Sequence, residues 1–298
     1  MRSRSILALA LGLLCLACGA RADDAAEAAQ RRALLDSLHY SGGSIALPQA
    51  QAHLEVKPGF RFLGHDDARK VLEQYWGNPP DDSVLGLLVP DDSQLGMDHS
   101  WAVVVTYSDE GYVSDEEASK IDFNDMLEQM QEDTRDGNEE RKQAGYGTVE
   151  LVGWAQPPRY DAASKRLHWA KELAFDGESG HTVNYDIRVL GRSGFLSLNA
   201  VADAADLPRV RTGMEQVLPM AQFDSGQRYA DYKPGSDKLA AYGIAALVGG
   251  GLAAKAGLFA KLGAILLAAK KLVVLVLVGI AGLFRRFFGG KKKDETAV

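Results

Sequence analysis

The chain has 298 residues, with 33 Lys and Arg against 40 Asp and Glu, and only two cysteines. Its charge is split: residues 23–238 hold 38 acids against 21 bases, net −17, whereas residues 239–298 hold nine bases against two acids, net +7. An acidic body of this kind argues against nucleic acid as a partner and predicts repulsion from anionic lipid headgroups.

The chain opens as a secretory signal. Arg2 and Arg4 form a basic start, Ile6 to Ala17 an apolar stretch, and Ala20-Arg21-Ala22 a small-residue cleavage site, so residues 1–22 are expected to be removed before Asp23. Cys15 and Cys18 both lie in that segment, and neither stands in a good lipobox, which disfavours a lipoprotein. Their removal leaves no disulfide, thiolate metal ligand or cysteine nucleophile. About 216 residues remain between the two apolar ends, enough to form a core without cross-links.

Asp24 to Leu38 predicts a helix, and Gly42-Gly43 a break. Ser44 to Val56 follows as two short strands separated by Pro48. Asp66 is expected to cap a helix through Tyr75, stopped by Gly77 and Pro79-Pro80. Pro80 to Gly86 and Pro90 to Gly96 both begin Pro-Asp-Asp-Ser. Their spacing does not fit an EF-hand, so they read as turns around an apolar strand, Val84 to Val89. Trp101 to Tyr107 is a further strand. Asp122 starts a helix with Phe123, Met126, Leu127 and Met130 on one face, inside an acidic run, Asp109 to Glu140, that reads as a solvated surface.

Four strands, Thr148 to Ala155, Arg166 to Phe175, His181 to Leu190 and Phe195 to Ala202, are joined by short Pro- or Gly-rich links, including Pro157-Pro158. They predict an antiparallel meander over 148–202. Asp206 is then expected to cap a helix that turns Leu207, Val210, Met214 and Val217 toward the sheet.

From Leu239 the sequence is apolar. Residues 239–269 are glycine-rich, and Gly249, Ala253 and Gly257 give the four-residue spacing of small side chains that lets helices pack closely. Extending a membrane span back through Lys270 and Lys271 would cost roughly 2.5–3.5 kcal/mol per lysine, so the span is placed at 270–288, with a basic cytoplasmic tail at 289–298. A two-span hairpin would put the Lys291 to Lys293 tail outside, against the positive-inside tendency, and a buried core helix is the third possibility. The expected fold is therefore α+β: an exported domain with an antiparallel sheet packed by helices, followed by a C-terminal transmembrane helix.

Catalytic signatures are sparse. The six histidines, His39, His53, His65, His99, His168 and His181, include no helical metal pair, and no P-loop, dinucleotide fingerprint or nucleophile elbow occurs. Asp98-His99-Ser100 groups three catalytic residue types, but neighbours on a strand point apart. No catalytic residue, metal or cofactor is assigned. The candidate ligand site lies on the meander: Asn184, Asp186 and Arg188 share the face opposite Tyr185 and Ile187, with Arg192 at its edge and Tyr160 nearby. Arginine forks beside aromatic rings suit anionic or peptide ligands. The competing reading is that these charges form surface pairs while Trp154 and Trp169 fill the core.

Gly111-Tyr112-Val113, Gly153 to Asp161, His168 to Lys171, Asn184 to Arg192 and Asp237-Lys238 through Tyr242-Gly243 together resemble a bacterial family of membrane-anchored proteins defined by a domain of unknown function. The resemblance runs from about His39 to Lys293. It implies a signal sequence, an exported domain and a C-terminal anchor, and carries no catalytic residues. Three readings follow. The first is a non-enzymatic binding or assembly module of the inner-membrane envelope, in contact with the lipid bilayer and an envelope protein. The others are an accessory subunit packing through Gly249, Ala253 and Gly257, and an exported hydrolase.

Overall fold

The computed structural model describes residues 28–249 apart from 79, 98, 144, 146 and 178. The signal segment, Ala253, Gly257, the predicted membrane span and the basic tail lie outside the described residues. Among those described, no helix is long and apolar enough to cross a membrane.

Alternating hydrophobicity in the central sequence builds one eight-stranded sheet. Its order is β1 (Tyr40–Ser41), β4 (Phe60–Gly64), β5 (Val84–Pro90), β6 (Val103–Ser108), β11 (Phe195–Asp203), β10 (His181–Leu190), β9 (Arg166–Phe175) and β8 (Val149–Asp161). Every neighbouring pair is antiparallel. The predicted meander forms its β8–β11 half, and β10 registers Tyr185 against Ala170 and Ala200, and Ile187 against His168 and Leu198. A second sheet places β3 (Ala52–Val56) between β2 (Gly43–Leu47) and β12 (Ala221–Phe223). A third pairs β7 (Tyr112–Ser114) in parallel with β13 (Leu239–Gly243).

Among the described residues the α-helices are α1 (28–36), α2 (His65–Arg69), α3 (Phe123–Gln143), α4 (Leu207–Val217) and α5 (Ala245–Gly249). α2 widens into a π-helical turn over Lys70–Tyr75.

Three cores result. On one face of the large sheet, Tyr185, Ile187, Leu196 and Leu198 pack with Leu54 and Phe223 of the small sheet and with Val210, Met214 and Val217 of α4. On the other face, Leu63, Leu87 and Val89 meet Ala68, Val71 and Leu72 of the α2 segment. Farther along that face, Leu167, Trp169 and Leu190 meet Val113, Tyr229, Ala240, Ile244 and Val248, with Phe123 and Met126 of α3 packed against them. At ~25 cal/mol per Å² of apolar area, burying side chains of this size stabilises by about 1.5–3 kcal/mol each.

Several expectations are corrected. Pro157-Pro158 is no turn: β8 runs through it. β8 is the sheet's last strand, so a missing N–H facing outward breaks no ladder, and register shifts at 151–159 absorb the irregularity. Asp66 does not cap α2, whose N-cap is Gly64 without a side-chain bond. Asp206 makes no capping bond to α4 either. Its neighbour Asp203 accepts from the Ala205 N–H instead, starting a short 3₁₀ turn before the helix. Asp122 does cap α3, accepting from the Asn124 N–H at 2.9 Å. Residues 239–249, grouped from sequence with the glycine-rich segment, form β13 and α5, and Ala240, Ile244 and Val248 are buried in the third core.

The outer edge of β8 is occupied by side chains of α3. Asn138 donates to the Val149 carbonyl at 2.9 Å and accepts from the Val149 N–H at 2.8 Å, while Gln131 donates to the carbonyls of Leu151 and Val152 at 3.1 Å. Trp154 Nε1 reaches the Phe123 carbonyl at the start of the helix. A helix with one buried residue, Met130, is thereby held to the sheet largely by polar bonds.

Candidate functional site

Strand alternation sends Tyr160, Leu167, Arg188 and Ser197 to matching positions across β8, β9, β10 and β11. Tyr160 and Arg188 therefore share a row on the third-core face, separated by Leu167. The two belong to different polar networks.

In the first, Asp186 is 5 % exposed, and its Oδ1 accepts from Arg188 at 3.1 Å and from Asn199 Nδ2 at 3.0 Å. The Arg188 guanidinium lies over the Trp169 ring at 5.1 Å and the Phe195 ring at 5.8 Å, so its flat faces are covered as well as its edge. Asn184 stands two residues earlier on the same face, beside Lys171 and Val201 in the register.

Tyr160 belongs to the second network, centred on Asp115 just after β7. Asp115 Oδ2 accepts from the Tyr160 hydroxyl at 2.5 Å and from Lys165 Nζ at 2.7 Å. Its Oδ1 lies 2.9 Å from the Tyr229 hydroxyl, which is also 2.9 Å from the Val113 carbonyl and accepts from the Asp115 N–H. Lys165 Nζ sits over the Tyr229 ring at 4.7 Å, and Tyr112 stacks between Tyr229 and Tyr232 at 4.4 and 3.8 Å. Burial pushes the Asp115 pKa up, but the bonds from Lys165, Tyr160 and Tyr229 outweigh it and hold the carboxyl below its usual range. Burial comes first for both tyrosines; the Asp115 carboxylate follows for Tyr160, and Tyr112 and then Asp115 for Tyr229, and together they drive both hydroxyls far above the usual phenol range. They are hydrogen-bond donors at every physiological pH.

Arg192 lies outside both networks. Its Nε and a terminal nitrogen fork onto Asp237 at 2.6 and 2.8 Å, and the other terminal nitrogen donates to the Gly226 carbonyl. Bonding by Arg192, opposed by some burial, holds the Asp237 carboxyl well below the carboxylate range. The fork thus fixes the segment leading into β13.

Of the sequence-predicted set, Arg188 joins the Asp186 network, Asn184 lies on the same strand face four residues before Arg188, Tyr160 belongs to the neighbouring network, and Arg192 is sent to an internal carboxylate. Asp115, Lys165, Tyr229 and Tyr232 were missed. Asp115 is hidden in the acidic run read as surface, and its partners lie up to 114 residues away. Tyr112 was visible as part of a quoted motif.

Two further groups bear on chemistry. His99 adopts a left-handed backbone (φ 60°), which aims its ring at Asp206, Nδ1 to Oδ2 3.0 Å. Arg209 reaches the His99 carbonyl and the same Asp206. On the sheet face away from the two networks Gln156, His168 and Tyr185 make a half-buried trio within 2.9–3.2 Å, where burial lowers the His168 pKa and keeps the ring neutral at neutral pH. Among the described residues no three His, Cys, Asp or Glu side chains are grouped to hold a metal.

Residues 39–281 match the model of a protein family of unknown function, DUF2167. No curated protein matches the chain. Among solved structures, the cyanobacterial PsbP of Synechocystis sp. PCC 6803 aligns at a TM-score of 0.33 and 11 % identity, covering 63 % of this chain and 93 % of that one. The Saccharomyces cerevisiae Ran-binding protein Mog1p aligns at a TM-score of 0.32 and 9 % identity, covering 63 % and 96 %.

Proposed function

The chain belongs to the DUF2167 family, and from that premise we propose that it is a membrane-anchored envelope protein whose acidic, exported domain acts as a non-enzymatic binding or assembly module. The observation that carries this reading is the packing of the last described residues, 239–249. β13 pairs with β7, α5 follows directly, and Ala240, Ile244 and Val248 are buried in the third core immediately before the apolar sequence after residue 249. An apolar segment that begins at a strand and helix seated in the core holds the domain firmly to whatever that segment enters. The sequence pattern of 270–288 followed by basic residues makes that a bilayer, with the basic end cytoplasmic. Support for a binding rather than catalytic role comes from the two polar networks and the Arg192 fork, whose Asp115, Asp186 and Asp237 carboxylates are each engaged by internal donors.

The test is fractionation of cells expressing the full chain and a chain stopped after residue 249. The full chain is expected in the inner-membrane fraction with its domain digestible by protease added from the extracytoplasmic side. The truncated chain is expected free in the periplasm. Recovery of the full chain in a soluble fraction, or protection of the domain from that protease, would overturn the reading.

The exported-hydrolase reading retains one supporting observation, the His99–Asp206 contact beside Arg209. It requires that His99→Ala abolish a hydrolytic activity of the purified chain. In the accessory-subunit reading, Gly249 would contact a partner helix; in this structure a side chain added there would meet Met126 of α3 at 3.7 Å.

A further inference from the structure

The two arginines that suggest an anion site in the sequence, Arg188 and Arg192, are both closed onto internal carboxylates. Two others are open. Arg159 of β8 and Arg211 of α4 are exposed and have no ion-pair partner among the described residues. The fold brings them to one place on the first-core face of the large sheet. Arg159 is registered against His168 across the β8–β9 pair, so the two side chains stand side by side. Arg211 reaches over from α4, its Nη2 3.5 Å from the Ala155 carbonyl, one residue before Gln156. Both guanidinium charges act on the Tyr185 hydroxyl, and that of Arg159 on the His168 ring as well, so both lie close to the Gln156–His168–Tyr185 trio.

The trio decides which way the imidazole donates. Gln156 offers an amide N–H to His168 Nδ1 at 3.1 Å, which makes that nitrogen the acceptor and leaves the ring proton on Nε2. Nδ1 also lies 3.2 Å from the hydroxyl of Tyr185, a residue only 1 % exposed, so Nδ1 faces inward and Nε2 outward. Nε2 has no partner among the described residues and is not sealed from solvent, unlike the indole nitrogens of Trp101 and Trp169. Burial, then the neighbouring Arg159 charge, keeps the ring neutral against the opposing pull of Glu215. Arg166 adds a further positive charge on this face, although one of its terminal nitrogens is spent on the Ala221 carbonyl at 2.9 Å. The opposing carboxylates are Glu215, one turn beyond Arg211, and Asp161, which is paired in register with Arg166 and accepts from the Ser164 hydroxyl. A carboxylate has two oxygens and suits a single fork. Donors arriving from a strand, a helix and a ring suit a tetrahedral oxyanion, which offers three.

We propose that Arg159, Arg211 and His168 Nε2 form a binding site for a dianionic phosphate group, free or carried by a small soluble monoester. A lipid headgroup is the disfavoured source, because its phosphodiester carries one charge and the acidic body is repelled by an anionic surface. The site is independent of the membrane anchor, so its failure would leave the preceding reading standing.

The experiment is calorimetric titration of the purified full-length chain in a non-ionic detergent at constant ionic strength. The probes are inorganic phosphate, acetate and glycerophosphoglycerol, the diester headgroup of phosphatidylglycerol. Phosphate is expected to bind saturably, and acetate and the diester about tenfold or more weakly. Arg159→Gln and Arg211→Gln, both surface changes, are each expected to weaken phosphate about tenfold or more with an unchanged circular dichroism spectrum, whereas Arg135→Gln on α3 removes the same charge and leaves binding intact. His168→Gln, which keeps the trio bonded and neutral but loses the outward N–H, is expected to weaken it as well. Glu215→Gln should tighten it about threefold, an effect that lost packing could not produce. Absence of saturable heat with phosphate at millimolar concentration, tighter binding of the diester or acetate, or equal weakening by Arg135→Gln would overturn the proposal.

Discussion

Removing the carboxylate of Asp115 is the sharpest perturbation of the third core. Asp115→Ala deprives the Tyr160 and Tyr229 hydroxyls and the Lys165 ammonium of a shared acceptor. Hydrogen bonds to a charged group contribute about 1.5–3 kcal/mol each, but the ion pair is partly open, with 31 % of the Lys165 side chain exposed, and is discounted accordingly. Tyr229 also keeps its alternative acceptor at Val113. The expected loss is about 3 kcal/mol, or a fall of about 6–12 °C in Tm for a domain of this size. Asp115→Asn keeps one acceptor oxygen but no charge and should lose about half as much. The assay is urea unfolding of the full chain in detergent, followed by circular dichroism at several pH values. Because the folded Asp115 pKa lies below its unfolded value near 4, the unfolded chain binds the extra proton as pH falls. The gap between wild type and Asp115→Ala should therefore be constant above about pH 5 and shrink below about pH 4. A loss under about 0.5 kcal/mol, the scale of an ordinary surface substitution, or a gap that widens on acidification, would refute the reasoning.

Other expectations follow the same logic. Arg192→Lys keeps the charge but loses the fork onto Asp237, so the midpoint of acid unfolding should move to higher pH; an unchanged midpoint would mean that the fork contributes nothing. Asn138→Ala leaves the Val149 N–H and carbonyl unpaired and should cost about 1–2 kcal/mol, with faster hydrogen exchange at Val149 than in β10. Gly194→Ala puts a Cβ 1.8 Å from the Ser108 carbonyl, an obstacle of backbone rather than side chain, and should destabilise by ~3 kcal/mol or more in thermal melts. In His168→Gln the half-buried trio stays hydrogen-bonded, so stability between pH 5 and 8 should change less than in His168→Leu, which leaves Tyr185 and Gln156 short of a partner.

Local periodicity made the meander legible: β11 alternates throughout, β10 carries Val183, Tyr185, Ile187 and Val189 on one face, and short Gly-rich links leave the strand order little freedom. The edge was not legible in the same way, since Pro157-Pro158 signals a turn unless the strand is known to be outermost. Long-range partners were less visible still. Arg192 reads as a free anion-binding fork because Asp237 lies 45 residues on, and His99 shows no sign of Asp206, 107 residues away. The strings that carried the family resemblance are nevertheless neighbours in space. Tyr112, Val113, Trp154, Tyr160, Trp169, Leu190, Ala240 and Tyr242 all belong to the third core or pack against it. They identify a way of packing, which explains why a family was recognisable in the sequence while a reaction was not.

The β7–β13 pairing also sets a timetable. Tyr242 bonds Glu110 across 132 residues, and Tyr229 reaches Asp115 across 114, so this part of the molecule waits for nearly the whole chain to emerge. The first core draws mostly on strands and α4 that precede β13, and it can consolidate while Tyr112 and Val113 still lack their cover. Loop closure over such distances is slow, and the half-finished face exposes Leu167, Trp169 and Leu190 in the interval. A chain cut short before Leu239 would be caught permanently at that stage, with a sound sheet and an open apolar flank.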